Sequence, residues 1–308
     1  MTQTPTPTRN EEALAAFGSV LVAMVTPMDL EGRVDVDAAC ALATHLVDDG
    51  ADGLVLSGTT GESPTTHQPE KDDLVREVVA AVGHRVRVIA GAGSNDTRHA
   101  VRIAEGAERS GAHGLLVVAP YYNRPSQEGV FRHIRAVVDA TDLPVMLYDI
   151  PGRTGVKISD TTLERLAGHE RVLAVKDATG DVPAGFERMR RTGLAFYSGD
   201  DSLNLAWLAH GAVGMVSVVG HVVAGRYAEM VACIARGDLR GAQDLSVELA
   251  GVCDAIMGAG QGAVYVKAAL EILGVIPHRS VRLPLVAANE AEVAELTVQL
   301  RVAGLLPG

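Results

Sequence analysis

The sequence predicts an α/β chain of the (β/α)8 TIM-barrel class with a C-terminal helical extension. Three observations carry this reading. Apolar runs alternate with amphipathic stretches eight times over about 220 residues. The runs are continuously apolar, as strands of a parallel sheet covered on both faces must be. The length of 308 residues suits one large domain of this kind. A doubly wound open sheet is the structural alternative. Against it, no G-x-G-x-x-G follows the first strand: Gly91 and Gly93 open such a pattern, but Asp96 fills its last position.

The elements follow in order. Ser19–Thr26 is the first apolar run. Val36–Val47 is helical, with Val36, Ala39, Cys40, Ala43, Leu46 and Val47 on one face. Gly53–Ser57 is a strand, and Pro69–Val82 a helix with proline in its first turn. After the strand Val86–Ala90, Asn95 or Asp96 caps a helix that buries Ala100, Ile103, Ala104 and Ala107. The strands Gly114–Ala119, Pro144–Asp149 and Val172–Lys176 alternate with the helices Gln127–Ala140, Ser159–Ala167 and Pro183–Arg191. Leu194–Ser198 and Gly214–Val218 complete the strands, with Asp201–His210 and Val222–Ala235 as helices. The barrel is thus assigned to residues 16–236. Residues 237–308 add the helices Leu239–Met257, Val264–Leu273 and Glu290–Gly304, too few for an ordinary domain, and are assigned as an extension packed on the barrel. Residues 1–15 are Thr/Pro-rich and read as a flexible tail.

Composition narrows the function. The formal net charge is -11 and no basic run appears, so nucleic acid is not an expected partner. The N-terminus lacks the apolar core of a secretory signal, and no stretch reads as a membrane span. Cys40, Cys233 and Cys253 are widely spaced and odd in number, which fits reduced thiols in a cytoplasmic protein and neither a disulfide framework nor a metal site. The histidines, among them His67, His84, His99 and His113, show no metal or triad grouping.

The chemistry of a barrel sits at the C-terminal ends of its strands. The sixth strand ends in Lys176. An ammonium closed into an apolar strand end is costly, and its usual use is as an amine nucleophile that forms a Schiff base. The alternative is a lysine that snorkels outward. The other strand ends place polar groups on the same rim: Thr59 and Thr60 in a Gly-flanked loop, Tyr148 one strand before the lysine, Arg153 beyond it, and Ser198 to Asp201 after the seventh strand. The Thr-Thr loop can aim hydroxyls and backbone N–H groups at a carboxylate, or be a plain turn. Tyr148 can exchange protons with an imine nitrogen, or be a core tyrosine. Arg153 can clamp a carboxylate, or form a surface ion pair. Glu62 reads as structural, and Asp200 and Asp201 as helix caps.

GTTGES (Gly58–Ser63), PYYNRPSQEG (Pro120–Gly129), LYDIPGRTG (Leu147–Gly155), VKDATG (Val175–Gly180) and SGDD (Ser198–Asp201) occur in this order. With these motifs the chain resembles the 4-hydroxy-tetrahydrodipicolinate synthase (dihydrodipicolinate synthase) family of class I aldolase-like pyruvate lyases, from about Phe17 to the Arg282-Leu283-Pro284 stretch. Asp149 departs from the asparagine of many relatives. The resemblance implies that Lys176 forms a Schiff base with pyruvate, that Thr59 and Thr60 hold its carboxylate, and that Tyr148, Thr59 and Tyr122 relay protons. It implies that Arg153 receives L-aspartate 4-semialdehyde and that Gly199 and Val216 line the site. It also implies a cytoplasmic lyase of diaminopimelate and lysine synthesis that needs no metal or organic cofactor. The implied assembly is a homotetramer, a dimer of dimers in which Tyr122 enters the neighbouring subunit's site.

Two rival functions share parts of this pattern. An N-acetylneuraminate lyase or 2-keto-3-deoxy sugar acid aldolase would share the lysine, the tyrosine and a similar loop; Arg153 and Tyr122 argue for the synthase. A non-catalytic barrel that binds a keto acid would need no amine with a relay. The resemblance also bears on feedback by L-lysine. At the positions of the effector pocket in lysine-inhibited relatives, Ser63, Asn95 and Tyr121 are retained, but Pro64, Gln68, Lys71 and His99 differ. A missing acid and an added cation predict weak lysine binding, unless Glu62 or Glu70 supplies the counter-charge.

Overall fold

In a strand buried on both faces, successive side chains point to opposite sides, so each run must fill both the barrel interior and the layer under the helices. The computed structural model, which describes residues 7–258 and 260–307, bears this out. A helix α1 (Arg9–Phe17) leads into β1 (Val20–Ala23), α2 (Val36–Asp49), β2 (Gly53–Leu56) and α3 (Gln68–Val82). Next come β3 (Arg87–Gly91), α4 (Thr97–Arg109), β4 (Gly114–Val118), α5 (Gln127–Val138) and β5 (Val145–Asp149). A short α6 (Pro151–Thr154) and α7 (Asp160–Ala167) precede β6 (Val172–Asp177), α8 (Val182–Thr192), β7 (Ala195–Ser198) and α9 (Asn204–Ala209). β8 (Gly214–Ser217) and α10 (Gly220–Ala235) complete the barrel, and α11 (Leu239–Cys253), α12 (Gly262–Ile272) and α13 (Glu290–Val302) form the extension.

The eight strands form a closed barrel in sequence order, and β8 pairs parallel with β1 through Val20↔Met215 and Leu21↔Val216. Leu21, Val55, Ile89, Leu116, Met146, Ala174, Ala195 and Val216 fill the interior. Val20, Leu54, Val88, Leu115, Leu147 and Val175 belong to the larger cluster shared with the helices. This layering positions the site. Lys176 follows the inward series of Ala174, and Tyr148 follows that of Met146, whereas Asp149 and Asp177 fall on the outward series.

The tail expected over residues 1–15 is corrected from residue 9 onward; residues 1–6 lie outside the described residues. Thr8 caps α1 in a reciprocal capping box with Glu11, an arrangement worth about 1 kcal/mol. Ala13 and Phe17 are fully buried against the interior cluster, and the Phe17 ring meets the edge of Tyr197 at 6.5 Å between centroids. Burying one phenylalanine contributes about 1.5–3 kcal/mol, enough to fix a helix that composition alone reads as disordered. The Tyr197 hydroxyl donates to the Gly18 carbonyl at 2.8 Å, which ties the helix end to β7. The N-terminal end of the barrel is therefore packed shut.

Three local expectations shift. Asp96, not Asn95, caps α4, accepting from the Arg98 N–H at 2.9 Å. Asp200 caps the turn before α9, but Asp201 is buried and accepts from the N–H groups of Val218 (2.8 Å) and Val219 (3.1 Å), joining the ends of β7 and β8. α11 ends at Cys253 and widens into a π-helical turn over Asp254–Gly258. Among the described residues, no single helix is long and apolar enough to cross a membrane.

Candidate active site

Tyr148 and Lys176 are Cα partners across β5 and β6. Both project inward at the C-terminal ends of their strands, and Lys176 Nζ lies 4.4 Å from the centroid of the Tyr148 ring. Lys176 is buried at 5% exposure, so its amine is held inside the barrel mouth and does not snorkel to solvent. Gly199, after β7, makes room for it. A Cβ at Gly199 would lie 3.0 Å from Lys176 Cγ and 2.9 Å from the Asp177 carbonyl oxygen. Val216 is buried in the interior layer on β8.

The loop after β2 carries Thr59 and Thr60. Ser57 and Glu62 bracket it in the left-handed region, at φ 52° and 55°. Such backbone costs about 1–3 kcal/mol per non-glycine residue and persists only where surrounding structure fixes it. Here the loop closes on itself, Glu62 N–H to Thr59 carbonyl and Ser63 N–H to Gly58 carbonyl, each at 3.1 Å. Thr26 Oγ1 donates to the Gly61 carbonyl at 2.7 Å. Thr60 is buried and Thr59 half-buried.

A cleft of about 700 Å³ opens over this floor. Thr59, Tyr122, Tyr148 and Arg153 line it, whereas Lys176, Thr60, Gly199 and Val216 are not part of its lining. Among the described residues, no hydrogen bond joins the hydroxyls of Thr59, Tyr122 and Tyr148. Tyr122 sits at φ 70° and is 86% exposed, so its ring finds little support within its own chain. Arg153 lies on α6, which begins at Pro151 and is capped after Thr154 by Gly155 (φ 74°). Its guanidinium is exposed and donates to Gln261 Oε1 at 3.3 Å, from the start of α12.

Several residues in or beside the cleft were not singled out as site residues by the sequence. Gly91 and Gly93, which open an incomplete dinucleotide motif, line the cleft instead. A Cβ at Gly91 would lie 2.3 Å from the Ser57 carbonyl oxygen, so only glycine lets β3 approach the loop. Lys71 is buried and donates to Ser63 Oγ at 3.0 Å; burial pushes its ammonium down to about 8, against Glu70 and Asp72. Glu62 is structural, as read, but its partner is distant: its carboxylate accepts from Lys267 Nζ at 2.5 Å and from the Arg282 N–H at 2.8 Å.

Behind the lysine and tyrosine, the outward-facing Asp149 and Asp177 share one guanidinium. Arg188 Nη1 lies 3.4 Å from Asp149 and 3.7 Å from Asp177, and its Nε donates to Asp160 at 2.7 Å. Burial pushes the Asp149 carboxyl up to about 6, with Asp177 adding repulsion and the Ile158 N–H and Arg188 opposing it. Burial raises Asp177 as well, although Thr179 donates to it through both its N–H and its hydroxyl.

The model of the Dihydrodipicolinate synthetase family matches residues 16–303. The chain is 55% identical over 296 residues to the 4-hydroxy-tetrahydrodipicolinate synthase of Kineococcus radiotolerans, covering 96% of each. Among solved structures it is similar to a dihydrodipicolinate synthase of Bacillus anthracis, with TM-score 0.89, 42% identity, and coverage of 95% of this chain and 99% of that one. It is also similar to the chloride-inhibited dihydrodipicolinate synthase of Acinetobacter baumannii complexed with pyruvate, with TM-score 0.89, 35% identity, and coverage of 94% and 99%.

Proposed function

The chain belongs to the dihydrodipicolinate synthetase family, and from that premise we propose that it condenses pyruvate with L-aspartate 4-semialdehyde as a 4-hydroxy-tetrahydrodipicolinate synthase. The observation that carries the reading is the buried Lys176 amine 4.4 Å from the ring of Tyr148, which lines the cleft. The amine attacks the ketone carbon of pyruvate, water leaves, and an imine forms. Loss of a methyl proton gives the enamine, whose carbon attacks the aldehyde of the second substrate. The amino group of that substrate then displaces the lysine and closes the ring, which frees Lys176. Thr59 and Thr60 hold the pyruvate carboxylate, and Tyr148 exchanges protons with Thr59 and Tyr122. Gly199 and Val216 shape the floor. The exposed guanidinium of Arg153 takes the carboxylate of the semialdehyde.

The exposure and left-handed backbone of Tyr122 support a homo-oligomer, a dimer of dimers, in which this ring completes the neighbouring site. The same reading assigns the enzyme to the cytoplasm and to diaminopimelate and lysine synthesis, with no metal or organic cofactor.

The test offers pyruvate with the semialdehyde, and separately offers N-acetylneuraminate and 2-keto-3-deoxy sugar acids. Turnover is expected with the first pair alone. Arg153→Ala is expected to keep forming the pyruvate imine while losing most condensation. Faster turnover of a sugar acid, or imine formation lost in step with condensation, would overturn the assignment.

Feedback by L-lysine is expected to be absent. Neither acid that was open as a counter-charge is free. Glu62 is bound by Lys267 and Arg282, and Glu70 is chelated by the Arg282 guanidinium, which pulls its carboxyl down to about 2. Lys71 adds a buried cation beside Ser63. Turnover at fixed substrates should stay level as L-lysine is titrated into the millimolar range. Saturable inhibition that disappears in Tyr121→Ala would show a working effector site.

A further inference from the structure

We propose that Lys267, on α12 of the C-terminal extension, is a positioning residue that holds the Gly58–Gly61 loop in the form that receives the keto-acid carboxylate; this rests on the functional reading above. The loop is strained at both ends, with Ser57 and Glu62 left-handed, and its own hydrogen bonds close it upon itself from Gly58 to Ser63. What ties its far end to the extension is the Glu62 side chain. There Glu62 meets Lys267 Nζ at 2.5 Å and the Arg282 N–H at 2.8 Å, with the two charged side chains at 1% and 0% exposure. Lys267 also donates to the Ser280 carbonyl at 2.7 Å. Arg282 continues the strap: its guanidinium reaches the Gly32 carbonyl at 2.7 Å, the Thr65 carbonyl at 2.9 Å and the Glu70 carboxylate at 2.8 Å. The extension therefore grips the segment just beyond Thr59 and Thr60 from outside the barrel.

A fully buried ion pair is a poor way to gain stability alone, because a matched apolar pair avoids the desolvation of both ions. It does impose one geometry on both partners. Burial lowers the Lys267 ammonium from its ordinary range, and Glu62 opposes that. Lys267 is not among the residues that line the cleft, and its side-chain hydrogen bonds go to Glu62 and Ser280, so the proposed route to substrate runs through Glu62 and the loop.

The experiment compares full-length wild type, Lys267→Met, and the double variant Glu62→Gln/Lys267→Met, in which no buried charge is stranded. Steady-state constants for both substrates are measured, with borohydride trapping of pyruvate at increasing concentration. In the double variant the pyruvate KM is expected to rise about tenfold or more, while the semialdehyde KM at saturating pyruvate stays within about twofold. Trapping at saturating pyruvate should still map to Lys176. If Lys267→Met fails to fold, the double variant decides. A double variant with the wild-type pyruvate KM, or with equal losses for both substrates, overturns the inference. A wild-type chain that traps no pyruvate on Lys176 overturns the functional reading, and this inference with it.

Discussion

Lys176→Ala is expected to remove turnover by at least about 10³-fold and to leave no borohydride-stable adduct of pyruvate on the chain. The barrel places this amine at the end of a buried strand beside Tyr148, with Gly199 cut back to admit its stem. Alanine removes the nucleophile and lightens a packed floor without adding bulk, so the barrel should still fold. Intact mass after reduction reads the outcome directly: wild type gains one three-carbon unit and the variant none. A unit that persists and maps to Lys157 or Lys267 would sink the assignment of Lys176.

Arg188→Met is expected to lower stability strongly. It strands Asp149 and Asp177, which are almost fully buried and face one guanidinium. Removing one partner of a buried ionic group costs about 3–5 kcal/mol. The urea midpoint should fall accordingly at about pH 8. Adding Asp149→Asn should recover a large part of the loss there and little of it at about pH 5. The sign follows from the raised carboxyl of Asp149. A carboxyl held near about 6 in the fold and near ~3.9 in the unfolded chain binds its proton more tightly when folded. Stability is then lost as pH rises through that window, so at about pH 5 the buried group is still largely neutral and asparagine changes little. An unmoved midpoint in Arg188→Met would show that Arg188 is not the counter-ion.

The strand-helix alternation was legible because each β-run is uniformly apolar and each helix keeps its face in phase, so local pattern and tertiary burial agree. Lys176, Tyr148, Thr59, Thr60 and Arg153 were legible because strand ends in a barrel share one rim, and polar groups there stand out against the apolar runs before them. α1 was not legible, since Thr8 and Glu11 cap it inside a Thr/Pro-rich stretch whose composition argues for disorder, and only the seat of Phe17 under the barrel decides the matter. The partners of Glu62 were beyond reach for a different reason. Lys267 lies 205 positions further along the chain, and no periodicity links residues so distant. Asp201 was misread because a carboxylate that caps a helix and one that ties two strand ends look identical in sequence.

The packing of Phe17 and Tyr197 beneath the interior side chains turns the barrel into a cul-de-sac. Everything that reaches Lys176 must pass the mouth lined by Thr59, Tyr148 and Arg153, and everything made there must leave by the same way. On the proposed reading the keto acid anchors at Lys176 first, the water lost on anchoring leaves by the mouth, the aldehyde follows, and the ring-closed product clears the same opening before the next keto acid enters. One opening then serves entry of both substrates, loss of water and departure of product.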